Sequence, residues 1–144
     1  MKSKLEARRW FKQAERTLET AKWNLKGGFY EEACFLSQQA AEKSLKAYLY
    51  SKGRRVLMTH STFELARECM KFSKDFSDLI TYCRYLDRHY LPARYPNAVP
   101  GGTPYEIYTK QDSEKSIIQA EEILKTVEML LEEISVLEGP KKEK

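Results

Sequence analysis

The sequence predicts an all-α protein, an up-and-down bundle of four to five helices, on three observations. Apolar residues recur every three or four positions over long stretches, and glycines and prolines gather in a few breaks. No credible series of strands and no internal repeat is present, so helices packed on helices are the remaining way to bury the apolar faces. The 144 residues match the common size of one domain, and 42% hydrophobic residues supply its core. Residues 1–138 are read as a single domain and 139–144 as a polar tail.

The first helix is expected from Lys4 to Lys26. Trp10, Ala14, Leu18, Ala21 and Leu25 form its apolar stripe, and Lys12, Glu15, Arg16, Glu19 and Lys22 fill the other side. Gly27 and Gly28 end it, because glycine enters the left-handed conformation of a helix C-terminus without steric cost. A second helix over Phe29 to Ser51 carries Ala33, Cys34, Ala40, Ala41, Leu45, Tyr48 and Leu49 on one broad face. Its small residues let the first helix pack close and antiparallel.

Gly53-Arg54-Arg55 breaks the pattern, and Thr59 or Ser61 supplies an N-cap for a third helix running to about Phe72. After a break near Ser73 to Phe76, a further helical stretch passes through Leu79, Ile80, Tyr82, Cys83, Leu86 and Tyr90, forming with the third either one kinked helix or two helices. Residues 91–108 hold four of the five prolines and are expected to be an irregular loop. The last helix is expected from Gln111 to Leu137, with Ile117, Ala120, Leu124, Val127, Leu131 and Ile134 as a seam, stopped by Gly139-Pro140.

Composition excludes several classes. Mean hydropathy is −0.64, and no apolar run approaches the roughly 18 to 20 residues needed to span a bilayer. The charged N-terminus lacks the apolar core of a secretion signal. Cys34, Cys69 and Cys83 form no C-x-x-C pair, which points away from a disulfide scaffold or a zinc site and toward reduced thiols in a cytoplasm. His60 and His89 are the only histidines, and neither has a carboxylate at a zinc-motif spacing, so no metal and no cofactor are expected. The net charge of +4 permits a nucleic acid or nucleotide partner without indicating one.

Two segments carry polar groups in patterns suited to binding. In Gln38 to Ala47, Glu42 and Lys46 form an i, i+4 pair, an ordinary helix contact worth a few tenths of a kcal/mol. The alternative is that Gln39, Lys43 and Lys46 project toward a cleft and meet a phosphate or base. In Tyr85 to Pro96, Arg88 and Arg94 stand among Tyr85, Tyr90 and Tyr95 at the entrance of the proline-rich loop. Arginine binds phosphate bidentately and tyrosine stacks on bases, and the same mixture suits a protein interface.

The chain resembles the HEPN domain, a helical family named for higher eukaryotes and prokaryotes and for nucleotide binding. The resemblance is carried by Trp10 and Ala14 in the first helix, the Gly28-Phe29-Tyr30-Glu31-Glu32-Ala33 turn and the Gln39-Ala40-Ala41-Glu42-Lys43-Ser44-Leu45-Lys46-Ala47 string. His60, the Arg94-Tyr95-Pro96 element and the long final helix continue it over nearly the whole chain. It implies a homodimeric bundle, often encoded beside a minimal nucleotidyltransferase in a toxin and antitoxin pair, with many members being metal-independent ribonucleases.

Those ribonucleases carry an arginine, four to six intervening residues and a histidine. Here Arg94 is followed by Tyr95, Pro96, Asn97, Ala98, Val99, Pro100 and Gly101, without a histidine. Arginine cannot exchange its proton near neutral pH, so the catalytic pattern is broken and no catalytic residue is assigned. Arg55 and His60 meet the same spacing away from the family's motif position. In the toxin and antitoxin relatives a tyrosine beyond the histidine accepts a nucleotide, but with the register lost neither Tyr105 nor Tyr108 is assigned.

The expectation is thus a module that binds a nucleotide, an RNA or a nucleotidyltransferase partner without full ribonuclease activity. Arg94 and Arg88 are its phosphate contacts, Tyr95 its stacking residue, and Lys43 with Lys46 a secondary basic strip. The alternatives are a metal-independent ribonuclease using His60 or His89, and a purely structural interaction module.

Overall fold

The computed structural model describes residues 2–55 and 57–139. Among them no strand occurs, and the helices are α1 (Lys2–Gly27), α2 (Tyr30–Ser51), α3 (Thr62–Met70), α4 (Ile80–Asp87), α5 (Pro104–Ile107) and α6 (Lys110–Glu133). Five exceed one turn, within the four to five expected, with α3 and α4 separate helices; α5 is a single turn inside the proline-rich segment. Short 3-10 stretches at Lys74–Leu79 and Pro96–Ala98 complete the chain. The polar tail expected at 139–144 lies, apart from Gly139, outside the described residues.

α2 is the central helix. It packs against α1, α6, α3 and α4, and thirteen of its residues are buried, including the polar Gln38, Glu42, Ser44 and Lys46. α1 presents Ala7, Phe11, Ala14, Leu18 and Ala21 to it at spacings of four and three, so small side chains line the seam and the helices approach closely. α6 closes the other side with Ile117, Ala120, Ile123, Leu124, Val127 and Leu131.

Three helices end in the same device. Beyond α1, Gly28 takes φ +83°, the Phe29 N–H donates to the Asn24 carbonyl at 2.8 Å, and the Gly28 N–H donates to Leu25 at 3.1 Å. Gly53 repeats this beyond α2 at φ +86°, turning Arg54 back so that its N–H donates to Leu49 at 3.2 Å. α6 ends earlier than Gly139-Pro140 implied. Its terminator is Ser135 at φ 60°, with the Val136 N–H donating to Leu131 at 2.8 Å.

The segment 91–108 is more ordered than an irregular loop. Pro104 occupies the first turn of α5, where a missing N–H is no loss. The Glu106 carboxylate accepts from the Thr103 N–H at 3.2 Å and from the Thr103 hydroxyl at 2.8 Å. Ala93 is buried, and Tyr108 is tied to His89. The three cysteines are buried free thiols, and burial pushes Cys34 and Cys83 each up to about 12.

Candidate functional site

The site begins with a half-buried carboxylate at the junction of α3 and α4. Asp87, at the end of α4, accepts from the Thr62 N–H at 2.8 Å, the Phe63 N–H at 3.1 Å, the Ser61 hydroxyl at 2.8 Å and the Thr62 hydroxyl at 2.6 Å. The two backbone donors are free N–H groups of the first turn of α3, where a negative charge is favoured. Ser61 is also the N-cap, accepting from the Glu64 N–H, which resolves the choice between Thr59 and Ser61. Gln38 on α2 donates from Nε2 to Asp87 at 3.2 Å and to the His60 carbonyl at 2.8 Å. The backbone under His60 is thereby pinned to the central helix.

The His60 side chain lies against a second carboxylate, and this one is buried. Glu42 is 4% exposed; it accepts from the Lys46 ammonium at 3.1 Å and from Gln39 Nε2 at 3.2 Å. Nδ1 of His60 is 3.3 Å from both Glu42 carboxylate oxygens. A carboxylate only accepts, so Nδ1 carries a proton, and in the neutral ring the lone pair is then on Nε2. The His60 side chain is 58% exposed, which opens that nitrogen to solvent. Its ring stacks on Tyr90, with centroids 5.3 Å apart and planes 16° from parallel.

Tyr90 also faces Arg94. The Arg94 guanidinium carbon lies 4.5 Å from the Tyr90 ring centroid, 4.5 Å from that of Phe35 and 4.8 Å from that of Tyr95. Nε donates to the Tyr90 carbonyl at 2.7 Å and Nη1 to the Tyr95 hydroxyl at 3.3 Å. Among the described residues no carboxylate pairs with Arg94, and its Nη2 donors have no protein partner. A half-buried cation held by ring faces and a carbonyl, with donors left over, is an arrangement able to take an anion.

Of the residues expected to bind, Arg94 and Tyr95 are brought together. Arg88 is exposed at the end of α4 and, among the described residues, shares no hydrogen bond with Arg94. Lys43 points to α1, where its ammonium donates to the Thr17 hydroxyl at 2.9 Å, and burial lowers its pKa. Lys46 is buried in its pair with Glu42, 5.7 Å from the Trp10 ring centroid. The two lysines therefore form no open strip beside Arg94, because that face of α2 is covered by α1.

His89, the other histidine considered for a ribonuclease, is buried. It is 7% exposed, and Nδ1 shares a 2.8 Å hydrogen bond with the Tyr108 hydroxyl. Burial lowers it to about 4, against Asp112 and with help from Arg88 and Lys115, so it is neutral near pH 7; its hydrogen bond goes to Tyr108, and those of Arg94 go to Tyr90 and Tyr95. The residues missed in the sequence are Glu42 as a partner of His60, Gln38, Asp87 and Phe35. Only Glu42 had a local signal, its spacing from Lys46. Among the described residues, no group of three or more His, Cys, Asp or Glu side chains could hold a metal ion, and no helix is long and apolar enough to cross a membrane.

Comparison with known proteins is consistent over most of the chain. The sequence model of the HEPN domain matches residues 7–130. A Methanocaldococcus jannaschii protein bearing the name "Putative toxin MJ1304" is 33% identical over 136 residues, 88% of this chain and 89% of its own. A crystal structure of a Thermus thermophilus protein superposes with a TM-score of 0.78 at 36% identity, covering 86% of this chain and 97% of that one. The crystal structure of an archaeal HEPN homologue gives 0.73 at 39% identity, covering 88% and 98%.

Proposed function

Because the chain belongs to the HEPN domain family, we propose that it binds RNA or a nucleotide through a phosphate at Arg94, as one member of a toxin and antitoxin pair. The observation that carries this is the Arg94 guanidinium, set among Phe35, Tyr90 and Tyr95 with no carboxylate partner among the described residues. Phosphate takes the free Nη2 donors, and Tyr95, 46% exposed, offers a ring for a neighbouring base. The name of the Methanocaldococcus jannaschii relative supports the toxin and antitoxin setting. In this reading the protein acts in the cytoplasm as a homodimer, with a minimal nucleotidyltransferase as the partner. Native mass spectrometry tests the assembly, and a monomer at micromolar concentration refutes the dimer.

The test of the site is titration of a labelled short RNA at fixed low salt. Arg94→Ala is expected to weaken binding about tenfold, the worth of one charge-assisted contact. Unchanged affinity discards the role of Arg94.

A second reading, a metal-independent ribonuclease, is favoured by one observation: the exposed His60 imidazole is oriented by buried Glu42 and stacks on the ring that Arg94 also faces. Nε2 is then a base for the 2'-hydroxyl while Arg94 holds the phosphate. RNA incubated with the protein in chelator tests it; absence of cleavage, or cleavage undiminished in His60→Ala, excludes it.

A further inference from the structure

Lys43 sits half-buried on the side of α2 that faces α1, and its partner there is a hydroxyl, not a carboxylate. The ammonium donates to Thr17 Oγ1 at 2.9 Å, and the Thr17 hydroxyl donates in turn to the Gln13 carbonyl at 3.0 Å. Lys43 forms no ion pair among the described residues, because the adjacent Glu42 carboxylate is turned to Lys46, Gln39 and His60. Burial lowers the Lys43 pKa, and the Glu42 charge raises it by less. More of this amine is therefore neutral, and nucleophilic, than of an ordinary surface lysine.

The amine opens onto a cavity of about 400 Å³ lined by Arg9, Trp10, Gln13 and Lys43 itself. Three of these groups suit three parts of one reagent. Arg9 is exposed; its Nη1 donates to Glu6 at 2.6 Å, and among the described residues no other hydrogen bond engages its fork, which leaves donors for phosphate. Trp10 is half-buried and offers apolar ring surface to a short acyl chain. Lys43 supplies the nucleophile.

We propose that Lys43 is an acyl-acceptor site modified by small acyl phosphates, with Arg9 holding the phosphate group. The amine nitrogen attacks the carbonyl carbon, a C–N bond forms, and the C–O bond to phosphate breaks. Phosphate leaves with that electron pair and takes the surplus amine proton, directly or through water. The product is a neutral amide, which relieves a partly desolvated charge and keeps one N–H to donate to Thr17. None of these residues lies around Arg94, and the inference does not rest on the function proposed there.

Acetyl phosphate is the probe, with acetylation of each lysine in the full chain followed over time by peptide mass spectrometry. Half-buried Lys43 is expected to react at least about threefold faster than the exposed Lys12 and Lys74, the reverse of the order that access alone would give. Arg9→Ala is expected to slow the reaction at Lys43 about fivefold, the loss of one charge-assisted contact, with the helical circular dichroism unchanged. Acetic anhydride, which carries no phosphate, is expected to modify Lys43 equally in the two proteins. A rate at Lys43 no greater than at Lys12 and Lys74 overturns the proposal. So does an Arg9→Ala rate that is unchanged with acetyl phosphate, or lowered alike with both reagents.

Discussion

The His60 imidazole stands with Nδ1 3.3 Å from both oxygens of the buried Glu42 carboxylate, while Glu42 also holds the Lys46 ammonium at 3.1 Å. A single carboxylate thus fixes a solvent-open ring on one side and balances a buried cation on the other. The pair with Lys46 is 5% exposed on both side chains, so removing the carboxylate leaves an ammonium in the core with no charge to answer it.

Glu42→Gln is therefore expected to destabilise the fold by about 3–5 kcal/mol, read as a fall in the midpoint of denaturant unfolding. The double variant Glu42→Gln with Lys46→Met removes both charges and is expected to recover most of that loss. A single variant costing less than about 1 kcal/mol would show that the pair is not what holds this part of α2.

The helices were legible because their signals are local. The stripe of α1, the glycines after α1 and α2, and the seam of α6 all lie within a few residues of what they determine. The site was not, because its contacts come from packing. Glu42 and His60 are 18 residues apart, Gln38 and Asp87 are 49 apart, and no spacing rule joins them. Gln38 and Glu42 are polar residues on an inward face of α2, where a sequence pattern reads polarity as exposure. The turn α5 carried a usable signal, a threonine, a proline and a glutamate at cap spacing in Thr103 to Glu106, overshadowed by the surrounding prolines. Ser135 had none, since serine rarely takes the left-handed region.

His89 gives the fold a pH limit. Burial lowers its pKa from 6.5 to about 4, so the unfolded chain takes up the proton first. The contribution is complete above pH 6.5 and is lost as pH falls from 6.5 through about 4, up to roughly 3 kcal/mol at 1.36 kcal/mol per pH unit. Unfolding midpoints measured across this range are expected to show the loss, and His89→Gln is expected to remove its steepest part while still able to bond Tyr108. An acid limb identical in the variant would assign the effect to other groups.

Ser135→Gly relieves a left-handed residue at the end of α6, where the Val136 and Ser135 N–H groups close the helix onto Leu131 and Glu132. Glycine takes φ 60° without the clash between Cβ and carbonyl, partly offset by the greater freedom it gives the unfolded chain. The net gain is expected to be about 0.5–1 kcal/mol, visible as a higher thermal midpoint. A neutral or lower midpoint would mean that the serine side chain makes a compensating contribution.

Arg94→Lys separates charge from shape at the proposed phosphate site. Lysine keeps the positive charge but cannot lie flat against Phe35, Tyr90 and Tyr95, nor present a planar fork to phosphate. If the aromatic surround is what readies Arg94, the lysine variant is expected to bind RNA about as weakly as Arg94→Ala, while its salt dependence stays near that of the wild type because the number of charges is unchanged. If charge alone carries binding, the lysine variant retains nearly full affinity, and the rings around Arg94 serve only to pack the segment against α2. Parallel titrations at several salt concentrations distinguish the two, because geometry moves the intercept of the salt plot and charge moves its slope.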